Sequence, residues 1–129
     1  MKKKLISIFI SIFVLASCAN SDSSSITNVD ASTFITTATQ PSVQVIDVRS
    51  KSEYLSGHLK GALNIDVESG EFDIGIANLD KSGTYALYCR SGRRSSLAAQ
   101  RMADAGFKNI FNFNKGGFAE LEVAGAQTE

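Results

Sequence analysis

Tryptophan is absent from this 129-residue chain, proline and histidine occur once each (Pro41, His58), and cysteine occurs twice (Cys18, Cys89). Each scarcity removes a class of function. One histidine and two cysteines far apart in sequence do not form a clustered ligand set of the kind zinc takes, so no metal site is expected, and nothing asks for another cofactor. Long apolar runs are lacking too: the longest, Leu5 to Leu15, is too short to span a bilayer as a helix. Beyond Lys2, Lys3 and Lys4 there is no basic tract, which argues against nucleic acid as a partner.

What is present begins with a targeting signal. Three lysines, the apolar run and a set of small residues lead to Cys18, the order of a secretory signal peptide. The ending Leu15–Ala16–Ser17–Cys18 resembles the bacterial lipobox. That resemblance implies cleavage after residue 17, lipid on Cys18, and a protein held by its lipid in the cell envelope, on the outer side of the cytoplasmic membrane or in the outer membrane facing the periplasm. Residues 18–25 then read as lipidated cysteine and flexible tether, and residues 26–129 as one domain with a modest core. Loss of the three lysines leaves 10 basic against 13 acidic residues, a net charge of −3. With Cys18 lipidated, Cys89 has no disulfide partner, and an unpaired thiol in an exported protein calls for a chemical reason.

From Ile26 onward, short β-type runs alternate with helical segments. Strands are expected at Ile26–Val29, Val43–Val48, Ala62–Val67, Thr84–Cys89 and Asn109–Phe113. Asp30 can cap a brief helix through Ala38, and Ser50 with Glu53 has capping-box spacing before a helix that ends near Gly57. Further helices are expected over 72–79, from Ser95 or Ser96 to a stop at Gly106, and over 118–124. In the helix before Gly106, Leu97, Ala98, Met102 and Ala105 should share the buried face. Strand and helix alternating five times give an α/β class: a five-stranded parallel sheet with helices on both faces. Ligands of such sheets bind beyond the carboxyl ends of the strands, where Cys89 falls.

The run Cys89–Arg90–Ser91–Gly92–Arg93–Arg94–Ser95 carries the chemistry. A strand-to-helix loop that curves at Gly92 can turn successive N–H groups inward as an anion-binding nest, and the following helix adds its positive end. A thiol at the base of that nest has a depressed pKa and is nucleophilic as the thiolate. Arg90, Arg93 and Arg94 favour an anionic substrate.

This loop resembles the active-site loop of single rhodanese domains, the thiosulfate sulfurtransferase family. Two more segments match that family: Ile46 to Ile65, through Asp47, Val48, Arg49, Glu53, Tyr54, Gly57, His58, Gly61, Ala62, Asn64 and Ile65, and Ala105 to Gly125, through a closing strand, a double glycine and a last helix. The resemblance implies a two-step reaction. Cys89 takes the sulfane sulfur of a small anionic donor such as thiosulfate as a persulfide, and a thiol or cyanide acceptor removes it. The backbone N–H groups of Arg90 to Ser95 would cradle the persulfide, and the arginine side chains would orient the donor. A sulfur-relay module that loads once and discharges to a protein partner is the alternative.

Phosphatases that share this fold need a cysteine followed by five residues and then an arginine, and here that arginine position is Ser95, so a phosphatase or arsenate-reductase reading is the weaker one. His58 reads as a structural hydrogen-bonding residue, and Asp47, Arg49 and Glu53 as residues that pin the loop after the second strand and cap the next helix. Relatives commonly place a tryptophan at Leu121, so looser packing of the final helix is expected.

Overall fold

The computed structural model describes residues 24–129. The signal segment and Cys18 lie outside the described residues, so the expectations placed on them are carried by sequence alone.

Ten elements follow in chain order: β1 (Ile26–Val29), α1 (Ala31–Ala38), β2 (Val43–Asp47), α2 (Lys51–Leu55), β3 (Leu63–Asn64), α3 (Phe72–Ala77), β4 (Thr84–Tyr88), α4 (Arg93–Asp104), β5 (Asn109–Phe113) and α5 (Phe118–Val123). All five strands are parallel, in the order β1-β5-β4-β2-β3. The expected α/β architecture is therefore what forms. Central β4 alternates its side chains between two apolar layers, as a strand covered on both faces must. Tyr85, Leu87 and Cys89 enter one layer with Phe72, Ala98, Met102 and Phe107, and Ala86 and Tyr88 enter the other with Phe34, Phe113 and Leu121. Cys89 thus points into the layer beneath α4.

Local signals account for the helix starts. Asp30 accepts from Thr33 N–H at 2.8 Å, and the Ser50/Glu53 capping box closes in both directions. Three expectations need correction. The third strand shrinks from Ala62–Val67 to two residues, because as an edge strand it pairs only with Ile46 and Asp47. Ala62 N–H has already turned back to Leu59 O, and Val67 N–H reaches Val48 O outside any ladder. α4 begins at Gly92 as N-cap rather than at Ser95 or Ser96, which brings Arg93 and Arg94 into its first turn. Its buried face is Ser95, Ala98, Ala99 and Met102, spaced i, i+3, i+4 and i+7 along one stripe, while Leu97, which falls beside that stripe, is 46% exposed. Leu121, where relatives commonly carry tryptophan, is wholly buried in the layer with Phe34, Tyr88 and Phe113. A cleft of about 410 Å³ does open in the same layer, lined by Phe34, Ile35, Val45, Leu59 and Ala126 among others.

The sheet extends slightly beyond its expected start, since Ile110 N–H donates to Ser25 O at 2.9 Å. No helix of the described residues is long and apolar enough to cross a membrane.

Candidate active site

Cys89 follows the last residue of β4, and its side chain is fully buried at the base of the loop into α4. Gly92 forms the bend at φ +89°, and a Cβ there would lie 2.5 Å from the Asn114 carbonyl oxygen, so only glycine fits on both counts. The bend aims Gly92 N–H at Cys89 Sγ, 3.1 Å away. Burial pushes the Cys89 thiol up, but the Ser95 hydroxyl and the N–H groups of Ser95, Ser91 and Gly92 outweigh it and hold the thiol below the ordinary cysteine value. The hydroxyl has other acceptors, Phe113 O at 3.2 Å and Gly92 O at 3.3 Å. Both are long contacts, so neither carbonyl holds the hydroxyl proton tightly.

Neighbouring elements brace the loop. Ser96 donates to Gly92 O at 2.6 Å and accepts from Asn112 on β5 at 3.0 Å. From the other side, Phe118 N–H donates to Cys89 O at 2.8 Å. Gly117 lies so close that a Cβ would overlap the Arg90 carbonyl and sit 2.5 Å from Cys89 O. The segment between β5 and α5 is therefore the second wall of the site.

The residues expected to bind substrate do not act alike. Ser91, Gly92 and Ser95 address the sulfur, Ser91 and Gly92 through the backbone and Ser95 through backbone and hydroxyl. Ser95 is fully buried, so it meets the thiol from inside the protein rather than lining the mouth. It also occupies the position where the phosphatase loop has its arginine, which leaves no guanidinium there to clasp a phosphate. Arg94, largely buried, donates to both Glu53 oxygens at 2.7 and 2.9 Å, and Arg93 meets Glu68 at 3.0 Å. Glu53, opposed by burial and helped to a lesser degree by the charge on Cys89, keeps Arg94 firmly protonated. Arg90 is exposed and makes no ion pair among the described residues.

Beside this loop, the turn after β2 is closed by its own side chains. Asp47 accepts from Arg49 Nε and Nη2, from Arg49 N–H, and from Tyr88 Oη at 2.6 Å. Arg49 continues to Gly57 O, and the Tyr88 hydroxyl accepts from Leu59 N–H. His58 stacks on Tyr54 at 3.7 Å between ring centres, with Nδ1 2.9 Å from Tyr54 O and Nε2 3.4 Å from a Glu129 oxygen. These are structural roles.

Sequence reading missed two parts of the site. Glu68, from the loop between β3 and α3, reaches Arg93 across 25 residues, and no local motif marks it. Glu53 was recognised only as a capping residue, a duty it does perform, and that reading concealed its second one.

The family description "Rhodanese-like domain" matches residues 30–123. Thiosulfate sulfurtransferase GlpE of Shewanella oneidensis is 33% identical over 85 residues, covering 66% of this chain and 81% of that protein. Thiosulfate sulfurtransferase PspE of Escherichia coli is 33% identical over 78 residues, covering 60% and 73%. Among solved structures, the rhodanese-like domain of the Alr3790 protein from Anabaena superposes with a TM-score of 0.70 at 28% identity, covering 79% of this chain and 77% of that one.

Proposed function

The chain belongs to the rhodanese-like domain family, and from that premise we propose that it is a sulfurtransferase working through a persulfide on Cys89. The observation that carries this reading is the buried sulfur faced by backbone N–H groups and the Ser95 hydroxyl. Such a cradle stabilises negative charge on sulfur without neutralising it with a cation, so the nucleophile stays available.

In the first step the Cys89 thiolate attacks the sulfane sulfur of a donor such as thiosulfate. The new S–S bond forms as the donor's own S–S bond breaks, and sulfite leaves with the electron pair. The charge now rests on the outer persulfide sulfur, where the N–H groups of Arg90 to Ser95 receive it. In the second step cyanide or a thiol attacks that outer sulfur, and the thiolate returns. Substrate enters past Arg90, Arg93 and Arg94. The two relatives named as thiosulfate sulfurtransferases support the donor class.

Steady-state turnover of thiosulfate and cyanide tests the proposal. Parallel double-reciprocal lines are expected for a persulfide intermediate, whereas one loading per molecule without turnover would move the reading to a sulfur relay serving a protein partner. On the strength of Leu15–Ala16–Ser17–Cys18, the proposal extends to a lipid on Cys18 that holds the domain in the cell envelope. Detergent-phase partition of the native protein, lost in Cys18→Ser, is the expected signature.

A further inference from the structure

The three loop arginines differ in what faces them. Arg94 donates to both oxygens of Glu53, and Arg93 donates to Glu68 Oε1 at 3.0 Å, with the same oxygen 3.8 Å from Arg94 Nε. Arg90 has no such partner among the described residues. Two carboxylates therefore offset two of the three guanidinium charges at the mouth.

The two carboxylates are not equivalent. Glu53 is committed to the fold, since it closes the capping box of α2. Glu68 is not: its carboxylate is half exposed and, among the described residues, pairs only with the two arginines, and it is the backbone N–H that ties the residue to its own loop, by a bond to Asp66. The Arg93 side chain is 73% exposed, and an ion pair that open to water contributes little stability. Its effect falls instead on the field met by an approaching anion.

We propose that Glu68 is a specificity-determining residue: by facing Arg93 and Arg94 it lowers the positive field over Cys89, and thereby shifts the site's preference toward singly charged sulfur donors over doubly charged ones. The identity of the donors rests on the sulfurtransferase reading, but the field acts on any anion that reaches the thiol.

The test is Glu68→Gln in the full chain, which removes the charge and keeps the shape. The first readout is the rate of Cys89 alkylation by iodoacetate, an anion, divided by the rate with iodoacetamide, which is neutral. The ratio cancels any change in thiolate fraction. It should rise about two- to threefold at low ionic strength and return toward the wild-type value in high salt. Arg93→Gln should lower it. The second readout is kcat/KM for thiosulfate, which carries two charges, over that for methanethiosulfonate, which carries one. This ratio should rise by a similar factor, chiefly through KM. An unchanged alkylation ratio in a protein that loads sulfur normally would overturn the role of Glu68 alone. A shifted ratio in a protein that takes sulfur from neither donor would overturn the sulfurtransferase reading while leaving the control of the field by Glu68 intact.

Discussion

Two neighbouring strands, β2 and β4, each present an acidic side chain at the carboxyl end, and they treat it in opposite ways. Asp47, at the end of β2, is held by four donors: Arg49 reaches both oxygens through Nε, Nη2 and its own N–H, and Tyr88 adds its hydroxyl. Cys89, one residue past β4, is met by N–H dipoles and one hydroxyl, with no cation in direct contact among the described residues. Both groups are fully buried. A buried anion answered by a full opposite charge becomes a fixed part of the structure, whereas one answered by dipoles keeps its nucleophilicity. The Tyr88 hydroxyl links the regions, since it serves Asp47 from the residue before Cys89.

The largest effect should come from breaking the paired side. Arg49→Ala strands the Asp47 carboxylate in the core and should cost about 3–5 kcal/mol in urea unfolding. Thiol reactivity per folded molecule should stay near the wild-type value. A parallel loss of reactivity would show that the two strand ends are not independent.

Gly117→Ala attacks the dipole side from the opposite wall. The added Cβ has no room against the Cys89 and Arg90 carbonyls, and those are backbone atoms that can move only by reshaping the loop. A loss of about 1–3 kcal/mol in stability is expected, together with a fall in sulfur loading of about tenfold, the equivalent of ~1.4 kcal/mol of lost persulfide stabilisation. Loading that survives unchanged would mean that the loop needs no second wall.

Ser95→Ala sharpens the comparison by removing one donor. The wild-type thiol is depressed, so its alkylation rate should level off at lower pH than an ordinary cysteine, and loss of the hydroxyl should move the midpoint upward. The two proteins should differ most at low pH and converge once both are thiolates. Coincident profiles would assign the depression to the backbone alone.

The smallest effect concerns Glu53, which Arg94, opposed by burial and supported by Ser50, holds at about 2 against an ordinary 4.5. Because the folded value is depressed, its stabilisation is fully present above pH 4.5 and is lost as pH falls through about 2. Glu53→Gln should therefore be less stable than wild type at neutral pH, and the gap should close on acidification in chemical denaturation.

The legible parts of the molecule were those written in local spacing. Asp30 and Ser50/Glu53 announced their helices, and the apolar run 84–89 announced a strand covered on both faces. Cys89 and Gly92 declared the nest because its geometry is set within four residues. The length of β3 was not legible, since an edge strand extends only as far as its one neighbour supports it. Nor was the N-cap of α4: two serines looked like caps, but the left-handed Gly92 takes that place and turns Ser95 inward to the sulfur. The partners of Arg93 and Arg94 were hidden for a third reason. Pairs joined across 25 and 41 residues leave no periodic trace.

Intact-protein mass spectrometry before and after incubation with thiosulfate, with Cys89→Ser alongside, tests the central claim most directly. The predicted result is a gain of one sulfur atom in the wild type alone, reversed by cyanide. A wild type that gains no mass from thiosulfate or other sulfane donors, or a serine variant that gains as much, would contradict a persulfide on Cys89.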